Sequence, residues 1–389
     1  MDKHEIYDGY RSFEYLDIDD DYRSFELAET HAGFEPYEVP LTDEEEARTV
    51  SMTTDHPVVS LHEHPFSFPA DIRSDTWDYI REGRVFTPYK ALAESNLDAV
   101  FDFHLDGLSG IHSKHGWKWN DIVHDVSMRA CDVAHQDFVT RAGSVKDIRQ
   151  AKREGKLAIV PALESSAMIE NELDRIEQLY GLGVRLMGIT YNRSNALGTG
   201  KGSIHERDGG LTAFGAEAVE RMNKICMAIS TSHASAQTTL DACEASDVPV
   251  FDTHALAESV DGSSTPDECF EAVADTGGVI GIVSSSMLPD IETYMEHFEY
   301  MIDLVGIDHV AFGPDVLYGD HRELLSLLAT QHDFEPPGEI GGRRHVRGLE
   351  NPTEAWDNIP RWLVSQGYSD KEIEKVLGEN VLRTLEAVW

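Results

Sequence analysis

The chain has 389 residues, 41% of them hydrophobic, and carries 71 acidic against 32 basic side chains for a formal charge of −39. That apolar share fills a large core and rules out a disordered polyanion, while the charge rules out nucleic acid and anionic membrane as partners. Acidic residues run along the whole sequence instead of forming a tail, the pattern of a surface kept dispersed at high salt, so a halophilic organism is expected.

Residues 1–54 read as an N-terminal extension. Tyr10-Arg-Ser-Phe-Glu14 recurs as Tyr22-Arg-Ser-Phe-Glu26, and the acidic Leu41-Thr-Asp-Glu-Glu-Glu-Ala47 follows. Two copies are too few for a solenoid, so extended segments packed on the main domain or on a neighbouring subunit are expected. There is no basic stretch leading into an apolar one and no apolar run near about 18 residues, which predicts a cytoplasmic protein without a membrane anchor. Cys131, Cys226, Cys243 and Cys269 form no Cys-x-x-Cys and sit in apolar surroundings, so reduced, buried thiols are expected.

Residues 55–389 read as one domain. Apolar, β-branched runs at 58–61, 99–103, 158–162, 186–190, 228–232, 248–252, 279–283 and 310–313 alternate with helical patterns at 144–154, 169–182, 213–225, 237–245, 267–276 and 291–305. This alternation predicts an α/β fold, a (β/α)8 TIM barrel, ended by two C-terminal helices. The first covers 357–366, and the capping box Ser369-Asp-Lys-Glu372 opens the second. Three long loops follow strands: 192–203, the segment holding His104, His112 and His115, and 316–349 with its Pro336-Pro-Gly and Gly341-Gly-Arg-Arg-His345. Such insertions at the carboxyl face shape substrate pockets.

Chemistry-bearing residues stand at the ends of the same runs. His62-Glu-His64 closes the first, His233 the fifth and His254 the sixth, while Glu164 and Asp315 end two others. Side chains at the carboxyl ends of parallel barrel strands converge on one mouth, so ligands remote in sequence can meet around an ion. Two histidines separated by one residue on an extended segment point to one face. Glu164 is the candidate bridge between two cations sharing a hydroxide, and Asp315 the candidate acid/base that takes and returns its proton.

These residues carry a family resemblance. His62-x-His64, Leu163-Glu164-Ser165, Gly183-Val-Arg-Leu-Met-Gly-Ile-Thr190, Asp208-Gly-Gly-Leu-Thr-Ala-Phe-Gly215, Ser232-His233, Thr253-His254, Gly313-Pro-Asp315 and Leu377-Gly-Glu-Asn-Val-Leu-Arg383 resemble, in order, the membrane (renal) dipeptidases of the amidohydrolase superfamily. The resemblance implies two divalent metal ions, zinc expected, held by His62, His64, Glu164, His233 and His254. It also implies Asp315 as catalytic acid/base, a dipeptide or similar small amide as substrate, and a homodimer.

Three departures bear on specificity. His64 stands where the family has Asp, and imidazole remains an acceptable zinc ligand with one less negative charge. Tyr191 replaces a histidine that polarises the scissile carbonyl; its hydroxyl donates a hydrogen bond but carries no positive charge. The arginine expected after the last metal histidine is missing from 257–265, and Arg193, Arg343 and Arg344 in the long loops are the candidate replacements for gripping a carboxylate. Two further readings stay open: hydrolysis of another amide, a lactone or an ester, and a non-catalytic paralogue with structural metal, against which the retention of Asp315 argues. The halophile expectation is checked by thermal unfolding in dilute and in multimolar KCl. The midpoint rises with salt as counter-ions screen the acidic surface; a midpoint that falls removes it.

Overall fold

The computed structural model describes residues 6–30, 34–104, 118–203, 207–257, 265–285, 288–332 and 345–389. Among these, nine strands form one parallel sheet: β1 (Val59–Glu63), β2 (Ala99–His104), β3 (Val139–Arg141), β4 (Leu157–Leu163), β5 (Leu186–Gly188), β6 (Ala228–Ser230), β7 (Phe251–Ala255), β8 (Val279–Ile282) and β9 (Val310–Phe312). The order is β1-β2-β4-β5-β6-β7-β8-β9, with β3 paired to β4 beside this path. The ends of the path meet just past β9, where the Asp315 N–H donates to the His62 carbonyl and the His64 N–H to the Val316 carbonyl, both at 3.2 Å. Eight strands thus make a nearly closed barrel wrapped by helices, the predicted (β/α)8 architecture.

The helices are α1 (Asp43–Asp55), α2 (Ile72–Glu82), α3 (Tyr89–Glu94), α4 (Trp119–Val133), α5 (Val145–Arg153), α6 (Asp174–Gly181), α7 (Ala213–Lys224), α8 (Ala236–Ala245), α9 (Asp267–Asp275), α10 (Ile291–Val305), α11 (His321–His332), α12 (Pro352–Ser365), α13 (Asp370–Glu374) and α14 (Asn380–Val388). None is long and apolar enough to cross a membrane. The Ser369 capping box opens α13 as expected, and a π-turn at Lys375–Glu379 joins it to α14. Gly378 in that turn faces the Pro57 carbonyl so closely that a Cβ would collide with it. This approach lets Val381, Leu382 and Leu385 of α14 pack with Val59, Ala99, Ala158 and Ala228, each the first or second residue of its strand, and so close the amino end of the barrel.

The structure departs from the sequence reading at four points. The short β3 escaped notice because Val139-Thr-Arg141 offers a single buried side chain to a periodicity argument. β7 begins three residues later than its apolar run, so His254 lies within the strand. The acidic run at 41–47 opens α1 instead of lying extended: Thr42 and Glu45 form a reciprocal capping box, and Asp43 to Glu46 sit at the positive end of the helix. The four cysteines are free, but of them only Cys269 is buried; Cys131 is exposed.

Residues 6–30 lie against α3 and α4. Tyr10, Phe13 and Tyr22 of the repeats are buried, with Arg11 and Arg23 left outside. Asp132 gathers this contact: its carboxylate accepts from the Tyr10 hydroxyl (2.7 Å), the Ser12 hydroxyl (2.7 Å), the Phe13 N–H (2.8 Å) and the Tyr89 hydroxyl (2.8 Å). His104 at the end of β2 faces outward to Asp125 of α4, and Asp102 holds Arg129 of the same helix, so this histidine fastens a helix to the barrel wall. His112 and His115 lie outside the described residues. Asp132→Ala leaves four buried donors without their acceptor; we expect a loss of about 3 kcal/mol or more in urea unfolding, with faster proteolysis of the N-terminal segment.

Candidate metal centre

The pleat of β1 sends alternate residues to opposite faces. His62 and His64 point into the barrel mouth, His62 stacking on Phe103 at 3.8 Å between ring centroids. Glu63 points out. Its carboxylate accepts from the Trp356 indole N–H (3.0 Å), the Val316 N–H (2.9 Å) and the Ser60 hydroxyl (3.2 Å), and burial raises it to about 7. The residue between the two histidines therefore anchors β1 to α12 and to the segment after β9.

The remaining donors arrive from neighbouring strands. Glu164 follows β4 directly, and Gly188 on β5 is required beside it because a Cβ there would run into the Glu164 carbonyl. His233 lies three residues past β6 and Asp315 three past β9, with φ of 63° and 60°. Left-handed backbone at non-glycine residues costs about 1–3 kcal/mol and persists where surrounding structure imposes it. The Nε2 of His62 is 3.6 Å from Glu164 Oε1 and 3.4 Å from Asp315 Oδ1; the Nε2 of His64 is 3.5 Å and 3.0 Å from the same two atoms. Two donor groups result, His62, His64, Glu164 and Asp315 in one and Glu164, His233 and His254 in the other, each with its ligand atoms within 4.8 Å of one another. Glu164 belongs to both.

Hydrogen bonds on the far side of each ring fix which nitrogen is bare. His64 Nδ1 donates to the Phe103 carbonyl at 2.9 Å, and His233 Nδ1 to Asn192 Oδ1 at 3.1 Å. Thr253 Oγ1 lies 3.3 Å from His62 Nδ1 and 3.2 Å from His254 Nδ1. Its own proton has Ser230 and Ser232 as acceptors, each at 3.1 Å, so its lone pairs receive both imidazole N–H groups. All four Nε2 atoms then face the mouth. Those of His233 and His254 are 2.8 Å apart, and His62 Nε2 is buried with no hydrogen-bond partner. Lone pairs so placed repel unless a cation lies among them, and the donor set of imidazoles and carboxylates suits a divalent first-row metal.

The electrostatics agree. Burial holds His233 down at about 4, and burial with the neighbouring His62 and His233 holds His254 well below its ordinary value. Burial pulls His62 and His64 down as well, but Asp315 and Glu164 outweigh it and raise both. Reciprocally, burial would lift Glu164, yet the two imidazoles bring it to about 2, and they hold Asp315 well below the carboxylate range. One half of the cluster thus stabilises its carboxylates with protons that a bound cation would displace.

Tyr191 is half-buried with its ring 4.3 Å from that of His233, at the edge of the cluster. Arg193 is exposed on the same loop. Arg343 and Arg344 lie outside the described residues, as do residues 258–264 of the segment where the family's arginine is missing. Sequence reasoning missed Asn192, Thr253 as orienter, and Glu63; the placement of Thr253 and Glu63 next to candidate ligands was the available signal.

A parallel barrel bearing this imidazole and carboxylate cluster at its carboxyl mouth defines the class of metal-dependent barrel hydrolases. Comparison with known proteins narrows the class. The membrane dipeptidase family, peptidase family M19, matches residues 123–322, just over half of the chain. Dipeptidase verJ of Clonostachys rogersoniana is 24% identical over 374 residues, 90% of this chain and 88% of that one. Dipeptidase 3 of Rattus norvegicus is 26% identical over 277 residues; the match covers 68% of this chain and spans 51% of the rat protein, about half its length. An amidohydrolase from Pseudomonas aeruginosa shares the fold, with a TM-score of 0.72 at 24% identity, 88% of this chain and 99% of that one covered. The chain belongs to the membrane dipeptidase family. Thr253→Val removes the hydroxyl that orients two imidazoles; metal affinity, measured by competition with a chromogenic chelator, is expected to drop roughly 10- to 100-fold.

Proposed function

We propose that the chain is a two-metal hydrolase of small amides, dipeptides foremost, with zinc as the expected ion. One observation carries this reading: Glu164 is shared by two adjoining donor groups, the arrangement a bridging carboxylate requires. On this reading His62 and His64 hold one ion, His233 and His254 the other, and Glu164 both. Bound there, the ions supply Lewis acidity to the scissile carbonyl and acidify water.

This chain's own residues do the rest. Asp315, beside His62 and His64 at 3.4 and 3.0 Å, takes a proton from the attacking water and delivers it to the leaving nitrogen. On this reading the Tyr191 hydroxyl, whose ring lies beside His233, donates to the carbonyl oxygen as charge develops on it. Arg193 is the loop cation proposed to meet a substrate carboxylate. The lack of a guanidinium in 257–265 favours a second reading, an amide without a free carboxylate, a lactone or another ester.

Protein purified without added metal is expected to contain two divalent ions per chain, to lose activity with chelator and to regain it with zinc. Asp315→Asn should keep the metal and lose about 10²- to 10⁴-fold in kcat, and His233→Ala should lose one ion. A panel of L,L- and L,D-dipeptides, acylated amines and lactones separates the substrate readings. Absence of stoichiometric metal, or full activity in both variants, would falsify the proposal.

A further inference from the structure

Asp315 is held in a backbone conformation that L-residues avoid, and the peptide before it is held unusually firmly. The Pro314 carbonyl accepts twice from Ser284, from its N–H at 3.0 Å and from its hydroxyl at 2.7 Å. Ser284 follows β8 closely and is buried, so neither bond is exchanged with water. Its Oγ also lies 3.1 Å from His345 Nε2. Because the serine proton goes to the Pro314 carbonyl, the imidazole must be the donor in that contact. His345 is buried, its ring stacks on buried His321 at 4.0 Å and 5°, and its backbone N–H donates to Glu350 Oε2 at 2.9 Å. Burial keeps the ring neutral, well below its ordinary value, so its single ring proton resides on Nε2. The Nδ1 atoms of His321 and His345 have no hydrogen-bond partner. A cation bound by both rings would have to lie in both ring planes, and parallel planes do not meet, so the pair is not a third metal site.

We propose that Ser284 and His345 are positioning residues for Asp315. The chain from the His345 Nε2–H through the Ser284 hydroxyl to the Pro314 carbonyl fixes the Pro314–Asp315 peptide. It thereby keeps the Asp315 carboxylate at 3.0 Å from His64 and 3.4 Å from His62. His345 polarises the serine hydroxyl and so strengthens its bond to the carbonyl. His321, stacked on His345, sets the tilt of that ring. The long segment after β9 is thus joined to the acid/base through two side chains that touch no reacting atom. This inference rests on the reading of Asp315 as acid/base.

The test uses the zinc-loaded protein. With L-Ala-L-Ala and L-Ala-D-Ala as probes, Ser284→Ala and His345→Leu are expected to lower kcat about 10- to 100-fold while KM stays within about twofold and zinc content is unchanged. His345→Gln, whose amide can donate from nearly the position of Nε2, should recover most of kcat. Unchanged kcat in Ser284→Ala overturns the proposal, as does a loss in His345→Gln equal to that in His345→Leu. Should His345→Leu not fold, Ser284→Ala decides alone. A second readout is independent of activity: in a crystal structure of zinc-loaded Ser284→Ala, Asp315 should leave the left-handed region and its carboxylate should move off His64. An undisplaced Asp315 overturns the positioning role, whereas wild-type inactivity on both probes with Asp315 displaced in the variant counts against the dipeptidase reading alone.

Discussion

Four imidazole lone pairs and two carboxylates converge on a single mouth, and such convergence is stable only with positive charge at its centre. In this protein the charge can come from protons on His62 and His64 or from cations, and the far-side hydrogen bonds decide which nitrogens are available to receive them. Thr253 has an outsized part because one hydroxyl orients two rings from different strands. Glu164 has another, since it alone is common to both donor groups. Parallel strands meet this demand: they bring donors from β1, β4, β6, β7 and the end of β9 into two adjoining groups, each with its ligand atoms within 4.8 Å of one another.

Holding the donors there stores strain that the scaffold must balance. His233 and Asp315 adopt left-handed backbone, and Gly188, Gly281 and Gly313 allow strands to approach where any Cβ would strike a carbonyl. The counterweight is polar and buried. Glu63 binds β1 to Trp356 of α12, and Ser284 grips the Pro314 carbonyl. On the far wall Asp102 and His104 of β2 hold Arg129 and Asp125 of α4. Each of these pairs is costly to break from one side only, which makes the mouth rigid where its chemistry needs fixed distances.

Much of the candidate site could be read in the sequence because its residues end apolar runs, and a run's end is a strong local signal. The eight barrel strands and the helices at 213–225, 237–245 and 291–305 were legible for the same reason: their periodicity is sustained over enough residues. β3 was not, being three residues long with one buried side chain. The acidic stretch at 41–47 misled because charge suggested solvent-borne chain, whereas its Thr42–Glu45 pair is a helix-opening device. His104 shows where that signal stops. It ends a strand as His62 and His64 do, yet it turns outward, and only the pleat direction separates a mouth residue from a wall residue.

By itself the sequence determined the barrel, the acidic surface and the set of imidazoles and carboxylates available to a metal, because these follow from periodicity, composition and residue chemistry within short windows. Tertiary structure alone decided the sharing of Glu164 between two donor groups, the fixing of each tautomer by Thr253, Asn192 and Phe103, and the hold of Ser284 and His345 on the Asp315 peptide. Those are relations between segments as much as 191 residues apart, and their existence depends on distances that no local pattern encodes.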